Sequence, residues 1–166
     1  MNTLITRRID DLGRIVIPKE IRNKLKIKQG DCLSISLEDE KIVFKKKSLV
    51  ADNFNVIESV VKTISKLENI EILITDLDKV IYSNSRNIPI KTEINAELSK
   101  EIFYGKEKIV DNKEIFNKRN NYLIQPIIVN GDIIGSVIII NLKKISESNL
   151  MISKIISNLL IKHLEV

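Results

Sequence analysis

Apolar and polar positions alternate over the first third of the chain and recur at helical spacing beyond about residue 50. Ile5, Arg7 and Ile9 alternate with Thr6, Arg8 and Asp10, the period of two that predicts a strand. Asp11-Leu12-Gly13-Arg14 reads as a turn in which Gly13 can take φ > 0, and Ile15-Val16-Ile17 as a second short strand. Pro18 suits the first position of a helix, and Ile21 and Leu25 lie one turn apart, so Pro18 to Leu25 is predicted as two helical turns with Lys19, Arg22 and Lys26 on the outer face. After a turn at Gln29-Gly30-Asp31, Leu33, Ile35 and Leu37 alternate with Cys32, Ser34 and Ser36. The chain then reverses at Glu38-Asp39-Glu40 and returns along Lys41 to Lys46, which predicts a hairpin.

A polar stretch, Lys45 to Asn55, precedes the change of period. Ile57, Val60, Val61, Ile64 and Leu67 follow the spacing of an amphipathic helix, with Asp52 or Asn53 as its candidate cap. Ile70 to Thr75 and Val80 to Tyr82 predict two strands joined at residues 76–79, and Ile94 to Phe103 a helix. Tyr122 to Val129 and Ile133 to Leu142 form a hairpin around Asn130-Gly131, a pair that readily takes the left-handed turn. Ser146 to Leu164 is a closing helix. Its main stripe is Ile152, Ile155, Ile156 and Leu159, with Leu150 and Ile161 roughly opposite, so it should be covered on two sides. The order predicts two domains: residues 1–50, mostly β with one short helix, and residues 51–166, an α+β layer domain.

Four short strands and a two-turn helix bury too little apolar surface to offset backbone ordering of about 1–2 kcal/mol per residue. The first segment therefore calls for a partner chain. The simplest solution is a homodimer whose strands interleave. Hydrophobic residues at 43% and charged residues at 30%, with 5 Gly and 3 Pro in 166 residues, exclude low-complexity disorder, so both segments should fold.

Charge separates the two segments further. Residues 1–50 hold 12 Lys+Arg against 7 Asp+Glu, whereas residues 51–166 hold 15 of each, so the whole net charge of +5 belongs to the first. Arg7, Arg8, Arg14 and Arg22 lie there, and only Arg86 and Arg119 beyond. Arginine presents a planar fork that matches phosphate oxygens and guanine edges, and two-fold symmetry would double the cluster. Such a patch would bind duplex DNA in a salt-dependent way; the alternative on composition alone is a solvated basic face, against which stand Arg14 in a glycine turn and Arg22 on the outer helix face, where a ligand can reach.

Enzyme chemistry finds no support. One cysteine, Cys32, and one histidine, His163, cannot build a disulfide, a Cys/His zinc site or a haem attachment within one chain. Cys32 reads as a small buried residue and His163 as a packing or interface residue on the last helix. Asp10-Asp11 and the Asp76, Asp78 pair sit in turns, where Asp serves the local backbone. Neither phosphate-cradling glycine motif is present, and no cofactor or metal is expected. The absence of an apolar region behind Met1 to Arg8 and of a span of ~18 apolar residues predicts a cytoplasmic protein with no membrane partner.

The run Thr6-Arg7-Arg8-Ile9-Asp10-Asp11-Leu12-Gly13-Arg14-Ile15-Val16-Ile17-Pro18-Lys19-Glu20-Ile21-Arg22, followed by Leu25, Gly30-Asp31 and Ile42-Val43-Phe44-Lys45-Lys46, strongly resembles the AbrB-type swapped-hairpin DNA-binding domain of bacterial transition-state regulators. The resemblance implies an interleaved dimer that docks Arg7, Arg8, Arg14 and Arg22 on DNA. Many members carry a second arginine where this chain has Asn23, which leaves Lys24 as its substitute. Residues 54–166, with Gln125 to Gly135 as the best local match, resemble the GAF-like second domain of sporulation regulators in this family. That resemblance implies a regulator of forespore genes, both activator and repressor, whose GAF helices join two dimers into a tetramer, with a small-molecule effector left open. The competing reading is an antitoxin-like protein-binding module, since the same head occurs in toxin–antitoxin pairs. Those proteins usually continue into a short disordered tail, whereas residues 54–166 are too apolar and periodic for that.

Overall fold

The computed structural model describes residues 5–164 and divides after Lys46 into two compact units. In the first, α1 (Lys19–Lys24) precedes a hairpin of β1 (Leu33–Glu38) and β2 (Lys41–Lys46). Asp39 and Glu40 both take left-handed φ, 45° and 63°, which gives the two-residue turn whose twist matches the strands it joins. The register pairs Ile35 with Phe44 and Leu37 with Ile42, so four large apolar side chains share one face of the hairpin. All four are solvent-exposed, Ile35 at 67% and Leu37 at 77%.

Several expectations for this unit change. Ile5–Asp10 and Ile15–Ile17 are not strands within the chain, because a strand needs a neighbour about 4.8 Å away and β1 and β2 pair only with each other. Pro18 is the cap of α1 rather than its first residue, and Leu25 is exposed. Cys32 is exposed, not buried. In place of an apolar core the unit has a polar tie. Asp31, its side chain only 2% exposed, accepts from the Lys28 amide at 2.6 Å and from Lys46 Nζ at 2.9 Å, and Lys46 Nζ also reaches the Lys26 carbonyl at 3.1 Å.

In the second unit, α2 (Leu49–Asn53) stands within the polar stretch and is capped by Ser48, whose side chain accepts from the Ala51 amide. A single 3-10 turn leads to α3 (Glu58–Glu68), so Asp52 and Asn53 do not cap the amphipathic helix. The strands β3 (Glu71–Thr75), β4 (Val80–Ser83), β5 (Lys108–Ile115), β6 (Lys118–Val129) and β7 (Asp132–Asn141) form one antiparallel sheet in the order β4-β3-β7-β6-β5. The predicted Asn130-Gly131 turn joins β6 to β7 with φ of 52° and 87°. One face of the sheet is covered by α2, α3 and α5 (Glu147–Leu164), through Val50, Ile57, Val61, Ile156 and Leu160. The other is covered by α4 (Ala96–Phe103), through Leu98 and Ile102 over Tyr122, Ile124 and Ile138. Lys113 clamps α4 to the edge strand, its Nζ lying 2.7 Å from Glu97 and 3.3 Å from Glu101, and those two carboxylates hold its pKa well above the ordinary lysine value.

The closing helix is turned from its expected orientation. Asn149, Ser153, Ile156, Ser157 and Leu160 are buried, while Met151 and Ile155 are exposed and Ile152 and Leu159 half-buried. Ser153 and Ser157 are small enough to seat the helix close on β6, and their hydroxyls are satisfied by the Leu150 carbonyl at 2.8 Å and the Pro126 carbonyl at 2.9 Å. His163 is exposed on this protomer rather than packed.

Candidate nucleic-acid interface

The turn before the second predicted strand is built by one carboxylate. Asp10 Oδ1 accepts the backbone amides of Leu12 at 3.1 Å and Arg14 at 2.8 Å, and Asp10 Oδ2 accepts Arg14 Nε at 2.8 Å. Two backbone bonds close the same loop, Asp10 N to Arg14 O at 3.1 Å and Gly13 N to Asp10 O at 2.9 Å. Gly13 supplies the left-handed residue, φ 75°, with open space where a side chain would stand. The Arg14 backbone amide and then its guanidinium hold the Asp10 carboxyl below its ordinary range, so it is ionised near neutrality. Arg14 nevertheless remains 72% exposed along its side chain.

The remaining candidate residues occupy two places. Arg7 and Arg8 lie in the segment before the loop, both exposed, with Arg7 Nη1 donating to the Thr6 carbonyl at 3.0 Å. Arg22 and Lys24 lie in the last turn of α1, also exposed. At about 100° per residue Lys24 stands roughly 200° round the helix from Arg22, whereas Lys19 is about 60° away and shares its face. Chemically, the described part of this unit offers planar donors on a loop, on the segment before it and on a short helix, and the buried Asp31 carboxylate serves the fold. Sequence reasoning treated Asp10 as turn chemistry and missed its bond to Arg14. The Asp-x-x-Gly-Arg spacing signals the loop but not this side-chain bond.

The first unit is a small head built of a paired hairpin, a short helix and an arginine-bearing glycine loop. Residues 6–51 match the family described as antidote-toxin recognition MazE, bacterial antitoxin. Over 45 residues the chain is 51% identical to the transition state regulatory protein AbrB of Bacillus subtilis (strain 168), which spans 27% of this chain and 47% of that protein. Residues 42–165 match the stage V sporulation protein T C-terminal family, described as a transcription factor, and the chain belongs to that family. It is 32% identical over 153 residues to stage V sporulation protein T of Bacillus subtilis (strain 168), covering 82% of this chain and 83% of that protein. No helix among the described residues is long and apolar enough to cross a membrane.

Proposed function

We propose that the chain is a DNA-binding transcription regulator of sporulation genes, activating some promoters and repressing others, whose head works as a swapped-hairpin dimer. One observation carries the reading. Among the described residues up to Lys46 only Pro18 is buried as a whole residue, beside the polar Asp31 carboxylate, while an apolar hairpin face and the basic residues Arg7, Arg8, Arg14, Arg22 and Lys24 are all exposed together. A unit without a core of its own is completed by a second copy, which would supply the neighbours that the extended segments before and after the Asp10 loop lack. The four head arginines then become eight on one body, placed to contact phosphates and base edges.

Binding of the full chain to an AT-rich promoter-sized duplex, compared with its scramble over a salt series, tests this. Arg7, Arg8 and Arg22 of two copies, taken as six phosphate contacts, predict a log–log slope of roughly −5. Arg14→Ala is expected to lower affinity for the preferred duplex about tenfold or more, with circular dichroism and subunit number unchanged. A wild-type chain that prefers neither duplex refutes sequence-selective regulation.

The second unit, a sheet with helices on both faces, is read as GAF-like, and its part is assembly. The resemblance leaves a small-molecule effector open. On α5 Met151, at 66% exposure, and Ile155 point outward, and Val60 and Leu67 of α3 are exposed as well. Joining two dimers through these helices would give a tetramer. Met151→Asp combined with Ile155→Asp is expected to halve the subunit number seen by light scattering with unfolding temperature nearly unchanged, because both positions are exposed in the protomer. An unaltered mass would refute this interface.

The match to the antitoxin family favours a second reading, a protein-binding head. Against it stands the second unit, a packed sheet with two apolar cores where a disordered toxin-wrapping tail would otherwise follow. Failure to bind any duplex at low salt, with capture of a defined toxin, would reverse the choice.

A further inference from the structure

We infer that Asp10 is a positioning residue that makes Arg14 a reader of base edges rather than a phosphate clamp, so that sequence preference depends on it while adhesion to duplex does not. The inference rests on the DNA-binding reading above and names how one residue of that site works. Exposed arginine ordinarily carries rotamer entropy that contact formation must suppress. Arg14 is exposed yet held at both ends by one carboxylate, its backbone amide at 2.8 Å from Oδ1 and its Nε at 2.8 Å from Oδ2. Five N–H donors leave four after Nε is engaged, and these sit on Nη1 and Nη2 at the far end of the fork. That end can form the bidentate pair with guanine O6 and N7.

Charge supports the same division of labour. An ionised Asp10 in contact with Arg14 makes the pair locally neutral, so the pair adds little to counterion release, which dominates non-specific binding. Arg7, Arg8 and Arg22 make no ion pair with a carboxylate among the contacts found for them and would supply that term. A neutral, rigid donor adds direction and little long-range attraction. In a dimer the loop occurs twice.

Asp10→Asn separates these roles. The Asn Oδ1 still accepts the Leu12 and Arg14 amides, while its amide nitrogen replaces the oxygen that held Arg14 Nε and removes a negative charge that would face the phosphates. The probes are a duplex of about 30 base pairs, selected by the wild-type full chain from a random pool, and its scramble, followed by fluorescence anisotropy across a salt series. The selected-to-scrambled affinity ratio is expected to fall about tenfold, the worth of a good base contact. Affinity for the scramble should hold or rise, with a steeper salt slope. In an Arg14→Ala background the same change should leave the ratio where Arg14→Ala alone puts it. Equal losses on both duplexes would show that Asp10 only builds the loop, and an undiminished ratio would show that it does not act on recognition. Either result overturns the inference while leaving the DNA-binding reading intact, whereas a wild-type chain that binds neither duplex overturns both.

Discussion

Replacing Ile35 by Asp is expected to abolish assembly of the head. Within one protomer this residue is 67% exposed, and a surface substitution at such a site usually changes stability by about 0.5 kcal/mol or less. If a second copy covers the hairpin, the consequence is different in kind. Ile35 stands opposite Phe44 and beside the Leu37–Ile42 pair, at the middle of the apolar face. A carboxylate there would be desolvated against the partner with no base to pair it, costing several kcal/mol in each copy. Since the first unit has no core with which to absorb that loss, dimer formation and folding of the head should fail together, and DNA binding with them. Light scattering and hydrogen exchange on the full chain check this: amides of residues 33–46 should lose protection while those of the central strands β3, β6 and β7 keep theirs. Protection retained in the hairpin would mean that the apolar face is not the interface. Ser34→Asp, one position away on the opposite face of the same strand, is the matched control.

Which parts of this architecture were legible depended on whether the pattern was self-sufficient. The hairpin of residues 33–46 was readable because alternation and a two-residue turn agree locally, and so was the β6–β7 pair around Asn130-Gly131. By contrast β5 escaped prediction: Lys108–Ile115 is an edge strand with charges on both faces and an irregularity between Val110 and Lys113, where Asn112 takes φ of 48°, so no period survives. The closing helix misled for a related reason. Counting apolar residues assumes that the apolar side faces the chain's own core, whereas here Ser153 and Ser157 are buried, Ser157 against β6, and Met151 and Ile155 face outward. For the candidate site, exposed arginines could be located from their places in a turn and on a short helix. The bond from Asp10 Oδ2 to Arg14 Nε could not, because it depends on side-chain torsions that spacing does not determine.

The corresponding large effect in the second unit is expected at Gly135. A methyl group there should lower stability by about 3 kcal/mol, the upper end of ordinary overpacking, and the unfolding temperature by roughly 10 °C. Gly135 lies in β7, the central strand, opposite Ile127 and just beside the irregularity between Ile127 and Ile128. An added Cβ would overlap the Thr75 carbonyl oxygen and come within 3.1 Å of both the Thr75 carbonyl carbon and Val50 Cγ2. Thr75 cannot yield by changing rotamer, since the obstructing atoms belong to the backbone of β3. That strand is also tied to β7 by the buried hydrogen bond between Thr75 Oγ1 and Ser136 Oγ at 2.8 Å. Relief would therefore require separating two central strands or displacing α2. Gly105 offers the comparison: its φ of 63° makes alanine strained, but the nearest obstruction is Ile133 Cδ1 at 2.7 Å, the end of a flexible side chain. Gly105→Ala should cost only about 1 kcal/mol, so scanning calorimetry of the two variants ought to rank Gly135→Ala well below Gly105→Ala. Equal unfolding temperatures would mean that β3 and β7 do not approach as closely at Gly135 as the carbonyl contact requires.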